Sequence, residues 1–68
     1  MQTFHFYDRD TRGDEIHSVV GADQLPNGRY KAWMIEGPGA DIDVRGYGPT
    51  ILSAIANLNE VLEANDVG

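Results

Sequence analysis

The stretch from residue 50 to residue 63 constrains the fold most strongly, because no other segment of the sequence has a convincing helical period. Its apolar residues recur every three or four positions and so fall on one face of an α-helix; they are Ile51, Ile55, Leu58 and Leu62. Thr50 can cap the first turn with its hydroxyl, and Pro49 disfavours helical geometry at Gly48. A helix with one apolar stripe has to bury that stripe against another element, and here we expect that element to be a sheet.

The first half of the chain predicts two strands. Residues 3–7 alternate, with Phe4 and Phe6 on one face, and their aromatic content suits a strand. A polar loop follows, and residues 15–20 resume an extended pattern that either continues or bulges over residues 21–25.

The second half predicts two further strands. Pro26-Asn27-Gly28 is a strong turn signal, and residues 29–36 then carry bulk on both faces, as is typical of a central strand. Gly37-Pro38-Gly39 breaks this run. Residues 40–45 predict the last strand, with Ile42 and Val44 inward, and residues 46–48 then turn the chain into the helix.

These elements predict a single small α+β domain spanning residues 1–68. It has an antiparallel three- to four-stranded sheet followed by one C-terminal amphipathic helix packed on one face, in β-β-β-α order. The sequence leaves open which face of strand 29–36 meets the helix. If Trp33 or Tyr30 lies on the uncovered face, the resulting apolar patch points to self-association or to a partner.

The charge balance restricts the class of partner. Eleven acidic and five basic side chains leave a net charge of −6 on 68 residues. Contact with nucleic-acid phosphates requires clustered Lys and Arg, so direct nucleic-acid binding is not expected. Two interpretations of this acidity remain open. Either the negative charge only keeps the chain soluble, or it forms a surface complementary to a basic protein.

Metal and cofactor sites are not predicted. Residues 8–14 resemble the start of a calcium-binding loop, but Arg12 occupies a ligand position and Val19 stands where the bidentate Glu is required. The chain has no cysteine, which excludes disulfides and thiolate chemistry.

Catalysis is not predicted either, and we expect that the protein is not an enzyme. His5 and His17 could pair across adjacent strands, but nothing completes a catalytic site around them. Ser18 and Ser53 lack the sequence context of a nucleophile.

Partner binding is the function that remains, and we predict two acidic patches and two aromatic anchors for it. The first patch is Glu36, Asp41 and Asp43, where the two Asp would alternate on one strand face. The second patch is the first loop with Asp8, Asp10, Asp14 and Glu15. The anchors are Trp33 and Tyr47, since aromatic residues dominate interface hot spots.

Residues 28–63 resemble the HicB-like antitoxin domain. The resemblance rests on Pro38-Gly39, Gly48, Thr50, Ala54, Asn57-Leu58 and Leu62. The chain departs from the family pattern in having Gly48-Pro49-Thr50 in place of Gly-Asp-Thr, and Ser53 where an acidic residue is usual. It also stops after the helix, before the last strand and DNA-binding extension of the family.

The resemblance implies a partial RNase-H-like fold that neutralises a small basic ribonuclease toxin. Because the DNA-binding extension is missing, we expect a stand-alone inhibitor rather than an autoregulating repressor. Small acidic inhibitors that phages use against CRISPR effectors or other nucleases are the same kind of protein. This implies a cytoplasmic location, in a bacterial cell or a phage-infected host, and no signal peptide or membrane span is predicted.

Two hypotheses follow. In the first, the protein is a non-enzymatic acidic inhibitor that binds and occludes a basic nucleic-acid-binding protein, such as a toxin ribonuclease or a CRISPR-type effector. In the second, it is a small homo-oligomeric structural or assembly module without a nuclease target, and it dimerises through the open sheet face or an edge strand.

Overall fold

The protein folds as a four-stranded antiparallel sheet with one helix packed on it, in a computed structural model that describes residues 1–66. The elements are β1 (Gln2–Arg9), β2 (Glu15–Gln24), β3 (Tyr30–Glu36), β4 (Arg45–Gly48) and α1 (Ile51–Ala64). The strands lie in the order β1-β2-β3-β4. The predicted α+β class is therefore confirmed.

Short turns connect the first three strands, as the sequence predicts. The β2–β3 turn contains Pro26-Asn27-Gly28, where Gly28 has a φ of 87° and the Leu25 amide donates to the Arg29 carbonyl. That φ lies in the left-handed region that glycine adopts without strain. β2 does continue past residue 20, and its register with β3 shifts between Val19 and Val20.

The register settles which face of β3 meets the helix. Ala32 is fully buried and packs in the same core cluster as Val20, Leu58 and Leu62. Side chains alternate along a strand, so Trp33 projects from the opposite face of the sheet. We call this opposite face, which the helix does not cover, the open face.

The predicted last strand at residues 40–45 is wrong, and β4 instead spans Arg45–Gly48. Gly37 and Gly39 have φ values of 104° and 93°. Their carbonyls accept hydrogen bonds from the amides of Ala40 and Ile42, so residues 37–42 satisfy their backbone in local turns. Consequently residues 46–48, which the sequence suggested as a turn, provide the strand beside β3.

Glycine in β4 allows α1 to lie directly on the strand. A Cβ atom built on Gly46 would overlap the backbone of Ala54 and Leu58, and one built on Gly48 would overlap Ser53. Ala54 is itself fully buried. The contact therefore depends on the absence of side-chain volume on both elements.

The predicted start of the helix is confirmed. Thr50 is the N-cap, its hydroxyl accepts from the Ser53 amide at 3.1 Å, and the Ser53 hydroxyl accepts from the Thr50 amide at 3.0 Å. This reciprocal capping box satisfies two amides that helical geometry leaves without partners.

The helix covers only part of the sheet. Within residues 1–66 it contacts β4, β3 and β2 but not β1. In addition, residues 15–18 of β2 pair only with β1, because the pairing with β3 starts at Val19. The β1–β2 hairpin therefore projects past the rest of the sheet.

α1 has 14 residues, and in the part of the chain that the structure describes no helix is long and apolar enough to cross a membrane.

We expect Gly46→Ala to lower the free energy of unfolding by about 1–3 kcal/mol, because the new methyl group meets helix backbone that cannot move aside as a side chain could. Urea denaturation followed by far-ultraviolet circular dichroism measures this loss. Ala56→Ser adds one heavy atom to the exposed face of the same helix and is the matched control. Equal stability of the two variants would contradict the close helix–strand contact.

We expect Thr50→Ala to cost about 1 kcal/mol, since it removes the acceptor for the Ser53 amide. Thr50→Ser keeps the hydroxyl and should retain most of the stability. The same denaturation experiment compares the two, and a Thr50→Ser loss as large as that of Thr50→Ala would exclude capping as the cause.

Candidate partner-binding site

The acidic residues of the first loop lie together at the tip of the β1–β2 hairpin. Asp10 organises this tip, because its Oδ1 accepts hydrogen bonds from the backbone amides of Arg12 and Asp14, both at 2.9 Å. Glu15 stands opposite Arg9 at the base of the loop. The tip is therefore an ordered turn, in which backbone amides hold the Asp10 carboxylate in place.

Both arginines of the hairpin tip are already engaged. The Arg9 Nη1 donates to the Gly13 carbonyl at 3.0 Å. The Arg12 guanidinium lies 3.7 Å from Asp10 and 3.8 Å from Asp14, although it is largely exposed. Exposed ion pairs of this kind contribute little to stability.

The helix brings further negative charge towards the same end of the molecule. Glu60 and Glu63 are exposed on its C-terminal half, and Asp66 follows its last turn. α1 contains no Lys or Arg, so nothing on it offsets these carboxylates. The carbonyl ends of its last peptide groups add partial negative charge.

A groove separates the projecting hairpin from the helix. Its volume is about 790 Å³. Its apolar walls and floor come from β1, β2, β3, the loop after β3 and the helix; the lining includes Phe6, Ile16, Val20, Met34, Pro38, Ile55 and Leu62. The groove exists because the helix does not reach β1.

Carboxylates stand at the rim of this groove. Asp8 and Asp10 line it on the hairpin side, and Glu63 lines it on the helix side. Arg9 also lines it, with its Nη1 bonded to Gly13. The rim is therefore net negative around an apolar interior. We call this feature, with its lining residues, the acid-rimmed groove.

The open face carries a separate aromatic group. The indole of Trp33 lies over Gly21, where a built Cβ atom would come within 2.7 Å of the ring carbons. The Lys31 ammonium lies 5.4 Å from the centre of the same ring, which is within the range of a cation–π contact. Trp33 is half-buried there, so part of the indole remains available for contact.

The open face also holds the two histidines, whose predicted pairing is confirmed. The Nδ1 of His5 and the Nε2 of His17 are 3.0 Å apart, so one ring donates a hydrogen bond to the other. The phenol ring of Tyr7 stacks on His17 with a centroid distance of 4.6 Å. All three side chains are exposed.

The first predicted patch is not arranged as the sequence suggested. Asp41 and Asp43 lie exposed in the loop between β3 and β4 rather than alternating on a strand. Asp43 forms an exposed ion pair with Arg45. Glu36 ends β3 and is exposed beside Val19.

The structure groups six of the nine predicted residues into two surfaces. Tyr47 is 47% exposed and pairs with Lys31, so it shares the open face with Trp33. The acidic residues of the hairpin lie at its tip, and two of them reach the acid-rimmed groove.

The apolar interior of the groove is the part that sequence reasoning missed. The available signal was the pattern of apolar residues on the hairpin. Phe4, Phe6 and Ile16 extend the apolar face of the sheet over more strand than one helix of this length can cover.

Among the described residues, no three His, Cys, Asp or Glu side chains converge to hold a metal ion.

No protein-family model, no curated protein and no solved structure matches this chain.

We expect Gly21→Ala to displace the indole of Trp33, because the methyl group would occupy space that the ring now fills. The cost should be about 1–3 kcal/mol. Trp33 is the single tryptophan of the chain, so its fluorescence emission reports the change directly and should shift to longer wavelength.

Glu15→Ala serves as the control, since it changes an exposed residue of the same strand that lies opposite Arg9 and leaves Gly21, Lys31 and Trp33 unchanged. An unchanged Trp33 spectrum in Gly21→Ala would contradict the packing of the indole on this glycine.

Proposed function

We propose that this protein is a non-enzymatic inhibitor that binds a basic nucleic-acid-binding protein and covers the surface on which that protein holds nucleic acid. The acid-rimmed groove is the observation that carries the proposal. It combines an apolar interior, which can bury an anchoring side chain, with carboxylates that attract basic residues around the anchor.

The apolar interior supplies the binding energy. Phe6 is 45% exposed at the groove, and Ile16 and Met34 are only half-buried there. Covering such surface removes apolar area from water, at about 25 cal/mol per Å². An apolar or aromatic side chain of a partner is the group that fits.

The carboxylates define the chemistry of the partner. Asp8 and Asp10 on one side and Glu63 on the other leave space between them for a segment that carries Lys or Arg. Charge of one sign around a binding site steers an oppositely charged protein and raises the association rate. Because basic residues on nucleic-acid-binding proteins contact phosphates, occupying them competes with nucleic acid.

The basic residues of the chain do not favour nucleic acid itself as the ligand. Arg12 and Arg45 are paired with carboxylates, Arg9 with a carbonyl, and Lys31 lies over Trp33. Five basic side chains dispersed in this way do not form the phosphate-binding stripe that such recognition requires.

The resemblance of residues 28–63 to HicB-like antitoxins supports the same proposal, since those domains neutralise basic ribonucleases. Inhibitors that phages direct against CRISPR effectors or other nucleases are a second class with the required chemistry. Occlusion of a binding surface needs no catalytic group, metal ion or cofactor.

Capture with matched variants tests the proposal. The tagged protein and the Asn59→Trp variant are each used to retain proteins from a lysate of the producing cells. Asn59 is exposed on the helix and lines the groove, so the indole should fill the groove and weaken binding of a true partner by about tenfold or more. Ala56→Trp places the same indole at an exposed helix position outside the groove lining and is the control.

The retained protein then has to be inhibited. We expect a basic protein that Asn59→Trp fails to retain, and whose nucleic-acid binding or cleavage is lost when the purified inhibitor is added at equal concentration. Recovery of the bait alone, or retained proteins that are insensitive to Asn59→Trp or keep their activity, would overturn the proposal. Those results would favour the homo-oligomeric module without a nuclease target.

Salt dependence tests the electrostatic part separately. We expect the association rate with the captured protein to fall about tenfold between low and high salt, because screening shortens the reach of the carboxylates. Replacing Glu60 and Glu63 with Lys should slow association similarly at low salt, whereas Asp23→Lys, on the strand end away from the hairpin tip, should not. Biolayer interferometry with the captured protein immobilised measures these rates, and it needs no reporter group at the groove.

A further inference from the structure

The outer edge of β1 is a second binding feature, adjacent to the acid-rimmed groove. β1 pairs with β2 along its whole length, from Gln2 to Arg9, without a register shift. No element of residues 1–66 pairs with its other edge. Open edges pair readily with further strands, and proteins usually block them with proline, lysine, a bulge or a covering segment. β1 contains neither proline nor lysine, and its register shows no bulge.

The opposite edge of the sheet is protected. β4 has only four residues, two of them glycine. The side chain of Asn57 on the helix donates a hydrogen bond to the Tyr47 carbonyl. Strand addition is therefore favoured at β1 rather than at β4.

The hairpin turn determines which groups of β1 point outward. The Asp10 amide donates to the Asp14 carbonyl at 3.0 Å. In an antiparallel ladder, residues that bond to the neighbouring strand alternate with residues whose amide and carbonyl point away from it. Counting back from Asp10, the even-numbered residues of β1 bond to β2 and the odd-numbered residues face the open edge.

One of the outward amides is already occupied. The Arg9 amide donates to its neighbour's carboxylate, Asp8 Oδ1, at 2.8 Å. This contact ends the open ladder near the hairpin tip. The outward residues that remain are Thr3, His5 and Tyr7, which are evenly spaced about His5.

We propose that a second copy of this chain pairs with β1 in an antiparallel register centred on His5. Thr3 then lies opposite Tyr7 of the second copy, His5 lies opposite His5, and Tyr7 lies opposite Thr3. Each of these pairs exchanges two N–H···O bonds, so every free outward group of the three residues is used. Two-fold symmetry is the commonest symmetry of protein dimers, and this edge is self-complementary under it.

The side chains between the paired residues support the same register. It places Phe4 directly opposite Phe6 of the second copy, on the face of the sheet that carries the helix. Such non-hydrogen-bonded pairs bring side chains closest together. Phe6 is 45% exposed because the helix does not reach β1, so the second copy covers a ring that this chain cannot cover itself.

The charge distribution also favours an antiparallel second copy. The acidic hairpin tips of the two chains lie at opposite ends of the continuous sheet, where their repulsion is weakest. Asp8 of each copy lies opposite Gln2 of the other, whose amide can donate to it. The N-terminal ammonium, which lies 3.1 Å from Asp23, is on the same strand end as Gln2.

This dimer does not depend on the inhibitor proposal. The second copy adds strands in the plane of the sheet, whereas the acid-rimmed groove opens above that plane between hairpin and helix, and only Phe6 and Asp8 belong to both. Sedimentation tests the dimer and the capture experiment tests inhibition, so a chain that dimerises without inhibiting can be distinguished from a chain that inhibits as a monomer.

Sedimentation of two variants at one position tests the pairing. Proline is tolerated in an edge strand when its nitrogen points away from the sheet, so His5→Pro removes the central outward donor and leaves the β1–β2 bonds intact. His5→Ala removes the same side chain and keeps the amide. We expect a mass twice that of the monomer for the wild type and for His5→Ala, and a dissociation constant raised about tenfold or more in His5→Pro.

Single cysteines provide a second test that does not require the proline variant to fold. The chain has no cysteine of its own. In the proposed register the two copies of residue 5 lie about 5.5 Å apart at Cα, within disulfide range. His5→Cys should therefore crosslink on oxidation. The two copies of residue 3 lie about 14 Å apart, so Thr3→Cys in the same strand should not.

Three results would overturn the proposal. They are a wild-type mass of one chain at every concentration, a folded His5→Pro variant that dimerises as tightly as His5→Ala, and crosslinking of Thr3→Cys as efficient as that of His5→Cys. If β1 pairs with a strand of another protein instead of a second copy, the purified wild-type chain would sediment with the mass of one chain, which is the first of these results.

Discussion

The direct contact between the helix backbone and β4 sets the position of the helix on the sheet. Gly46 and Gly48 leave no side chain between strand and helix, and Ala54 adds only a methyl group. Close approach at this edge places Leu58 and Leu62 over β3 and β2, where Ala32 and Val20 complete the core. A chain of 68 residues buries little apolar surface in all, so its small core depends on this close approach.

Because the helix lies over β4, it leaves the other edge of the sheet uncovered. A helix contacts only a few neighbouring strands, and this one reaches no further than β2. Phe6 and Ile16 therefore remain partly exposed on the projecting hairpin. The acid-rimmed groove and the open edge of β1 both follow from this one displacement, because each belongs to the part of the sheet that the helix leaves uncovered.

The two proposed binding modes use different chemistry at neighbouring places. The groove offers apolar side chains within a rim of carboxylates, which suits a basic partner. The β1 edge offers backbone donors and acceptors in a symmetric arrangement about His5, which suits a second copy. An inhibitor that dimerised in this way would present two grooves and two acidic hairpin tips, and could engage two sites of a partner with a gain from multivalency.

Local sequence signals predict several elements correctly. The helix from Ile51 follows from an apolar period and a Thr50 cap, and the Pro26-Asn27-Gly28 turn follows from residues that adopt the required backbone angles. The α+β class follows from the order of these elements. Sequence reasoning also singled out the hairpin acids Asp8 and Asp10 and the pairing of the two histidines.

The identity of β4, the face of β3 that meets the helix, and the position of the groove depend on tertiary packing. Residues 40–45 alternate like a strand, yet local turns at Gly37 and Gly39 satisfy their backbone, and residues 45–48 become the strand because the helix requires glycine beneath it. A local sequence pattern indicates the backbone conformation that one segment favours on its own. Which segment lies against which is decided by volume and hydrogen-bond partners contributed from elsewhere in the chain, and those exist only when the elements have packed.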